Sequence, residues 1–191
     1  MSTQLTLRLL SWGGKRKGAG RPPKADRPGV SHLKRPTLTH HLPVHITLRV
    51  QKQVWNLRTR RCFRIINRAF VAGCERFGFR LVHFSVQGNH FHLICEATDR
   101  RALSRGVQGL SIRLAKGLNR MMERSGRVFA DRYHHRVLRT PTQVKDALNY
   151  VRHNARHHGQ PLRDPVDPFC SDVIREGHVE ARCWLLRAAP P

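Results

Sequence analysis

The chain has 191 residues, with 36 Lys and Arg against 12 Asp and Glu, so its formal net charge is +24. A compact chain with this excess repels itself unless it binds polyanions, and nucleic acid is therefore the expected partner. No stretch approaches the roughly 18 apolar residues of a membrane span, and no signal-peptide core follows the first basic residues, so neither a membrane-spanning nor a secreted chain is expected.

Residues 1–36 are predicted to form a flexible basic arm. Gly13–Lys24 is rich in Gly and Pro and has no apolar face to bury. Gly20-Arg21-Pro22 resembles the centre of an AT-hook, which enters the minor groove of A·T-rich DNA, although Ala19 stands where that motif has Arg. Arg21 is thus a candidate DNA contact, and a tail that adds only nonspecific phosphate affinity is the alternative.

The core is predicted to begin at Pro43 with the order strand, helix, strand, strand. The first strand has apolar residues at alternate positions, namely Val44, Ile46, Leu48 and Val50. Apolar residues at three-to-four spacing predict a helix from about Cys62 to Phe77, which Gly78 would end. The second strand, Phe79–Gln87, is predicted to hold Val82, Phe84 and Val86 on one face. Gly88-Asn89 then predicts a tight turn into the strand His90–Ala97.

A longer amphipathic helix follows. Its predicted apolar stripe consists of Leu103, Val107, Leu110, Leu114, Leu118 and Met121. The rest of its surface carries Arg100, Arg101, Arg105, Arg113, Lys116, Arg120 and Arg124. A charged helix face is usually only solvated, but the near absence of acidic partners here favours contact with phosphates.

A fourth extended segment is predicted over Arg127–Leu138, followed by a last helix with clear boundary signals. Thr140 is placed to cap it, with Pro141 at its first position and Gln143 three residues after the cap. Gly159 and then a proline would end it. This order of elements is that of a ferredoxin-like α/β sandwich, with an antiparallel sheet of four to five strands, helices on one face and an extra C-terminal helix.

Two histidines flank one phenylalanine in the predicted strand His90–Ala97. Side chains alternate along a strand, so His90 and His92 share a face and can converge on one divalent ion. The chain has 13 histidines, so this pair alone is weak evidence for a metal site. The cysteines, five in number, form no Cys-x-x-Cys pair, which favours reduced core thiols and a cytoplasmic location.

The last helix places Tyr150 and Asn154 on one face beside its apolar stripe. A tyrosine at the edge of such a stripe is more often a packing residue than a nucleophile. An Asn in mid-helix is less comfortable, because its amide needs a partner. If both residues faced His90 and His92, the imidazoles and the amide oxygen would bind a divalent ion, and the phenol oxygen would attack a phosphorus.

These residues carry a family resemblance. Asn89-His90-Phe91-His92 resembles the Asn-His-apolar-His signature of the HUH single-tyrosine endonucleases. The segment Ala147–Gly159 resembles their Tyr-x-x-x-Asn-Pro-x-x-x-Gly pattern. Over roughly residues 40–160 the chain resembles the REP-associated tyrosine transposases, which are relatives of the insertion-sequence transposases that move single-stranded DNA.

The resemblance implies a DNA endonuclease and strand transferase. His90, His92 and Asn154 would bind Mg²⁺ or Mn²⁺, and Tyr150 would form a 5′-phosphotyrosine link without any nucleotide cofactor. Hairpin-forming single-stranded DNA would be the substrate, handled by a monomer or homodimer in the bacterial cytoplasm at the nucleoid. The candidate DNA contacts are Arg21, Arg105, Arg113, Lys116, Arg120, Arg132 and Arg152. Trp55 and Tyr133 are candidates for stacking on unpaired bases, although core packing is the commoner role for each.

Ala155 stands where the family pattern has proline after the Asn, so His153 or His157 could replace Asn154 as a ligand. Two alternatives stay open beside the active enzyme. One is a hairpin-binding regulator of the same fold whose chemistry is lost or unused. The other is a zinc-stabilised RNA- or DNA-binding module that uses the His-rich 153–158 segment and the cysteines, although their spacings match no zinc pattern. The predicted organisation is an arm over 1–36, a transposase domain over 37–160 and a tail over 161–191 that packs on the domain.

Overall fold

The computed structural model describes residues 38–39, 42–157 and 167–188, apart from the side chains of 155–157. The predictions for the arm, for Arg21, for the side chain of His157 and for a helix end at Gly159 lie outside this part of the chain. The elements in chain order are β1 (Val44–Arg49), α1 (Arg60–Val71), β2 (Glu75–Arg76), β3 (Phe79–Val86), β4 (His90–Ala97), α2 (Arg100–Met121), β5 (His134–Val137), α3 (Pro141–His157) and α4 (Trp184–Arg187).

The strands form one antiparallel sheet of five strands in the order β2-β3-β4-β1-β5. The four strands other than β2 have the order of a ferredoxin-like sandwich, which confirms the predicted fold class. The helices α1 and α2 bury their apolar stripes against one face of the sheet. The other face is covered by α3 and α4, which pack on Val82 and Ile94. None of the helices in the described part of the chain has the length and hydropathy that a membrane span needs.

The first helix ends earlier than its apolar pattern predicts. It stops at Val71, so the predicted extension to Phe77 is wrong. Glu75 and Arg76 instead pair with the start of β3 as a short edge strand, held by the Arg80 guanidinium, which binds the Glu75 carboxylate. Phe77 has a φ of 50° and is 82% exposed, because it forms the turn with Gly78 rather than the end of a helical stripe.

A register shift between Leu81 and His83 divides the apolar residues of β3 between the two faces of the sheet. Val82 packs under α3, whereas Phe84 and Val86 pack under α1 and α2. The prediction that these three share one face is therefore wrong, since a bulge adds one residue to the alternation.

The fourth extended segment is shorter than predicted, because only His134–Val137 forms a strand. Phe129 makes an isolated bridge to Val50 ahead of it. The start of α3 is as predicted: the Gln143 backbone N–H donates to Thr140 Oγ1 over 3.2 Å. The Gln143 side chain accepts from the Arg139 N–H over 2.8 Å, which completes the cap.

The segment 167–188 lies against β3. The Val86 N–H donates to the Phe169 carbonyl over 2.9 Å, and Cys170 forms an isolated β-bridge with Ser85. Arg58, from the segment before α1, donates to Asp167 Oδ2 over 2.9 Å, and both side chains are almost fully buried. These contacts hold the segment along the edge of β3.

Candidate active site

Polar side chains occupy the centre of the sheet face that α3 covers. The register places Thr47 and Ser85 on either side of His92, and His45 and His83 on either side of Ile94. Ser85 and His92 are almost fully buried. The antiparallel pairing therefore brings donors and acceptors from β1, β3 and β4 into one layer beneath the helix.

The His90 and His92 rings lie edge to face, with their centroids 4.8 Å apart. His90 donates from Nδ1 to the Asn89 side-chain oxygen over 2.7 Å. That bond puts the lone pair of a neutral His90 on Nε2, the nitrogen that a cation would bind. Within the Asn-His-Phe-His segment, Asn89 therefore orients the His90 ring.

His45 is a residue that the sequence analysis missed. Its Nε2 lies 3.1 Å from His92 Nδ1, and Thr47 Oγ1 lies 3.3 Å from the same atom. Burial and then the positive charge of Arg136 lower the pKa of His45 to about 4, so this imidazole is neutral at neutral pH. A neutral His45 that accepts at Nε2 makes His92 donate from Nδ1, which leaves the lone pair of His92 on its Nε2.

Tyr150 lies directly against this pair of imidazoles. Its ring centroid is 5.0 Å from that of His92, with the planes at 90°, and 6.1 Å from that of His45. The side chain is 38% exposed, so solvent and a substrate can reach it. The structure thus brings together the tyrosine of α3 and the His-x-His of β4, whose sequence positions are 58 residues apart, counted from His92 to Tyr150.

Asn154 lies one turn beyond Tyr150 on α3 and is fully buried. Neither its Oδ1 nor its Nδ2 finds a hydrogen-bond partner within the described residues. Buried amides without partners are rare and cost about 1–3 kcal/mol. An amide oxygen with two imidazoles forms a donor set suited to a divalent cation with open positions, so the residues present fit such an ion.

The other candidate ligands have different surroundings. His153 is exposed and donates from Nδ1 to the Asn149 carbonyl over 3.0 Å. In the described part of the chain, no three His, Cys, Asp or Glu side chains group so that they could hold a metal ion. The described residues therefore contain no cluster that supports the zinc-module alternative. The donor set of His90, His92 and Asn154 is different, because its third donor is an amide oxygen.

The predicted DNA contacts divide between the two faces of the molecule. Arg105, Lys116 and Arg120 are exposed on α2, across the sheet from Tyr150. Arg113, also on α2, is half-buried and donates to the Gly109 carbonyl over 3.0 Å. Arg132 is exposed ahead of β5. Arg152 on α3 lies 2.9 Å from Asp172, so its charge is partly compensated within the protein.

Comparisons with known proteins find a matching family model and two similar solved structures. The sequence model of the family described as "Transposase IS200 like" matches residues 39–154. The chain is similar to a solved structure of a REP-associated tyrosine transposase bound to a REP hairpin, with 15% identity, 73% of this chain and 82% of that one covered, and a TM-score of 0.58. A putative transposase from Deinococcus radiodurans R1 is 14% identical over 67% of this chain and 97% of that one, with a TM-score of 0.45. No curated protein matches the chain.

Proposed function

The chain belongs to the IS200-like transposase family, and from that premise we propose that it cuts and rejoins single-stranded DNA with Tyr150 as the nucleophile. The observation that carries the proposal is the contact between the Tyr150 and His92 rings, 5.0 Å apart at their centroids. A tyrosine that packs on the imidazoles of His92 and His45, and is still reachable from solvent, is suited to attack a phosphate.

The reaction exchanges one phosphate ester for another. The Tyr150 phenol oxygen attacks the phosphorus and gives up its proton, while the bond from phosphorus to the 3′ oxygen breaks. The 3′ oxygen gains a proton and leaves as a hydroxyl, and the 5′ end stays linked to the tyrosine. Attack on this link by a 3′ hydroxyl reverses the sequence and rejoins a strand. One ester is made for each ester broken, so no nucleotide cofactor is needed.

His90, His92 and Asn154 are the residues that would hold Mg²⁺ or Mn²⁺. When bound, the ion supplies positive charge that stabilises the transferred phosphate. Asn89 orients His90, while His45 and Thr47 orient His92, so both imidazoles are positioned before any ligand arrives. The buried Asn154 amide fits the same role, because its oxygen lacks a protein partner in the described residues.

We infer that the substrate is hairpin DNA with single-stranded flanks, bound in the cytoplasm. Two observations support this inference. The REP-associated tyrosine transposase with the similar fold was solved with a REP hairpin bound. The exposed surface of α2 carries arginines and a lysine and no acidic side chain, which suits a phosphate backbone.

Incubation of the full chain with labelled hairpin oligonucleotides and Mn²⁺ tests the proposal. We expect a denaturant-resistant adduct that carries the DNA label 3′ of the cut, separated on a denaturing gel. Tyr150→Phe should abolish the adduct but leave hairpin binding within about twofold, because the phenylalanine keeps the ring contact. His90→Ala should also abolish the adduct.

An adduct formed by Tyr150→Phe would show that another residue is the nucleophile. Salt-sensitive hairpin binding by the parent chain without any adduct would instead identify a binding protein of the same fold that lacks the chemistry.

A further inference from the structure

The two aromatic residues that were candidates for base stacking have different surroundings in the structure. Tyr133 is half-buried and packs against the core under α1 and α2. Trp55 is 47% exposed, so core packing does not explain it. The Arg61 guanidinium carbon lies 5.7 Å from the centre of its ring, within cation–π distance.

Trp55 lies in the segment that joins β1 to α1, at the end of the sheet where His90 begins β4. Arg49, the last residue of β1, is paired with His90. The Leu57 N–H donates to the Gly88 carbonyl and the Val50 N–H donates to the Asn89 carbonyl, each over 2.9 Å. The segment with Trp55 is therefore held directly against the turn that precedes the candidate ligands.

The position of Trp55 is also fixed from within its own segment. The Asn56 side-chain oxygen accepts from the Arg58 N–H over 3.0 Å. The same oxygen would lie 3.4 Å from a Cβ on Gly88, so the segment packs closely on the β3–β4 turn. An indole presented from such a braced segment loses little conformational entropy when a ligand binds.

The charges around Trp55 suit a polyanion. Between residues 51 and 71 the sequence has six basic residues and no acidic one. Arg58 is already occupied by Asp167. The exposed basic side chains of this stretch are Lys52, Arg60, Arg61, Arg64 and Arg68. An exposed aromatic ring among cations is the combination with which proteins bind single strands, because the ring stacks on a base and the cations bind phosphates.

We propose that Trp55 and Arg61 form a stacking platform for an unpaired base in the single strand that flanks the hairpin. This inference rests on the proposed function, since it names where the flank of that substrate binds. Every base presents a π-face, so the platform tolerates any base and contributes affinity rather than sequence choice. The strand then runs from the platform toward the end of the sheet that holds His90.

Binding measured by fluorescence anisotropy tests the platform, with two labelled hairpins that share stem and loop. One hairpin has single-stranded flanks and the other is blunt. Trp55→Ala should weaken binding of the flanked hairpin by about 5- to 100-fold and leave the blunt hairpin unchanged. Trp55→Phe should keep most of the affinity because a ring remains. Trp184→Ala is the matched control, since Trp184 is 59% exposed on α4, and should change neither affinity.

A second readout uses the fluorescence of Trp55 itself. The chain has three tryptophans, so the double variant Trp12→Phe/Trp184→Phe leaves Trp55 as the single emitter. A short unpaired oligonucleotide should quench this emission, and a blunt duplex should not.

The outcomes separate the platform from the proposed function. Equal affinity of Trp55→Ala and the parent chain for the flanked hairpin would overturn the platform while leaving the Tyr150 adduct intact. An equal loss on both hairpins would overturn it too, because Trp55 would then act on the fold or the stem. A parent chain that binds neither hairpin and forms no adduct would overturn the proposed function as well.

Discussion

At the scale of single residues, Asn154 is a fully buried amide on the helix that carries Tyr150. It continues the buried stripe that Val144, Leu148 and Val151 form on α3. An apolar residue there would pack without cost, whereas the amide lacks a hydrogen-bond partner among the described residues. Such a cost persists in folded proteins mainly where a ligand compensates it.

Asn154→Leu should therefore raise stability without metal and remove the stabilisation that metal gives. With EDTA present, we expect the free energy of unfolding to rise by about 1–2 kcal/mol, because an unsatisfied amide is replaced by a similarly sized apolar group. The rise in melting temperature that Mn²⁺ gives the parent chain should disappear in the variant. Urea and thermal unfolding measure the two effects.

Asn149→Leu is the control for this prediction, since Asn149 is exposed on the same helix and should change stability by less than about 0.5 kcal/mol. Destabilisation of Asn154→Leu in EDTA would mean that the amide has a protein partner after all.

His83 makes the stability of the molecule depend on pH. Burial, with the positive charges of Arg152 and His178, lowers the pKa of His83 from its ordinary 6.5 to about 4, against the opposing effect of Asp172. The ring also lies 3.3 Å from Ser171 Oγ. As the pH falls, the unfolded chain binds this proton before the folded chain does. The contribution of the neutral His83 to the free energy of unfolding is complete above about pH 6.5 and is lost as the pH falls toward 4.

His83→Gln should accordingly reduce the acid sensitivity of the protein. Between pH 7.5 and 5, the parent chain should lose up to about 2 kcal/mol of unfolding free energy through this residue, and the variant should not. Urea unfolding at both pH values gives the difference, and the exposed His134→Gln serves as control. The same pH-dependent loss in His83→Gln as in the parent would assign the acid sensitivity to other groups.

At the scale of elements, two glycines let α2 lie closer to its neighbours than a residue with a side chain at either position would allow. A Cβ on Gly106 would lie 2.1 Å from the Phe79 ring, and one on Gly117 would lie 2.6 Å from an Ile65 methyl group. These two glycines set the distance of α2 from β3 and from α1. They therefore determine how closely α2 packs on the core between the helices and the sheet.

Gly106→Ala should lower the free energy of unfolding by about 2–3 kcal/mol, because the methyl group overlaps an enclosed aromatic ring. Gly109→Ala is a matched control on the same helix, where only the flexible end of Arg113 lies near, at 3.2 Å. That control should gain up to about 1 kcal/mol from helix propensity. Guanidinium unfolding of both variants measures the contrast, and a neutral Gly106→Ala would refute the close-packing account.

The elements were predictable where local patterns are strong. Strict alternation gives β1, and the capping sequence around Thr140 gives the start of α3. The end of α1 was not predictable from its apolar spacing, because the Arg80–Glu75 pair that draws residues 75–76 into the sheet is a contact made after the chain turns. The bulge at Val82 is equally non-local, since it appears only when β3 is aligned with β4.

The same limit applies to the candidate site. His90, His92, Tyr150 and Asn154 could be selected because each motif is short and its spacing is visible in the sequence. His45 could not, because nothing in its own strand distinguishes it from any polar residue of an alternating pattern. Its contact with His92 depends on the β1–β4 register, and register is fixed by the whole buried face.

At the scale of the whole molecule, the charge of +24 makes DNA binding strongly dependent on salt. We expect affinity for hairpin DNA to fall by about 1,000-fold or more between 50 and 200 mM salt, given six to ten phosphate contacts. The double variant Lys116→Gln/Arg120→Gln should lower the slope of log affinity against log salt by about two. Anisotropy titrations in a salt series measure the slopes. An unchanged slope would remove this face of α2 from the DNA contacts.

The Arg58–Asp167 pair joins two positions that are 109 residues apart in the chain. At a synthesis rate of about 5–20 residues per second, Asp167 is synthesised on the order of 5–20 s after Arg58. The His-x-His strand is translated early in this interval and Tyr150 close to its end. A nascent chain therefore has the histidines before it has the tyrosine, and the segment 167–188, which lies against β3, is translated later still. If Tyr150 is the nucleophile, as proposed above, a chain interrupted before residue 150 cannot form the covalent adduct with DNA.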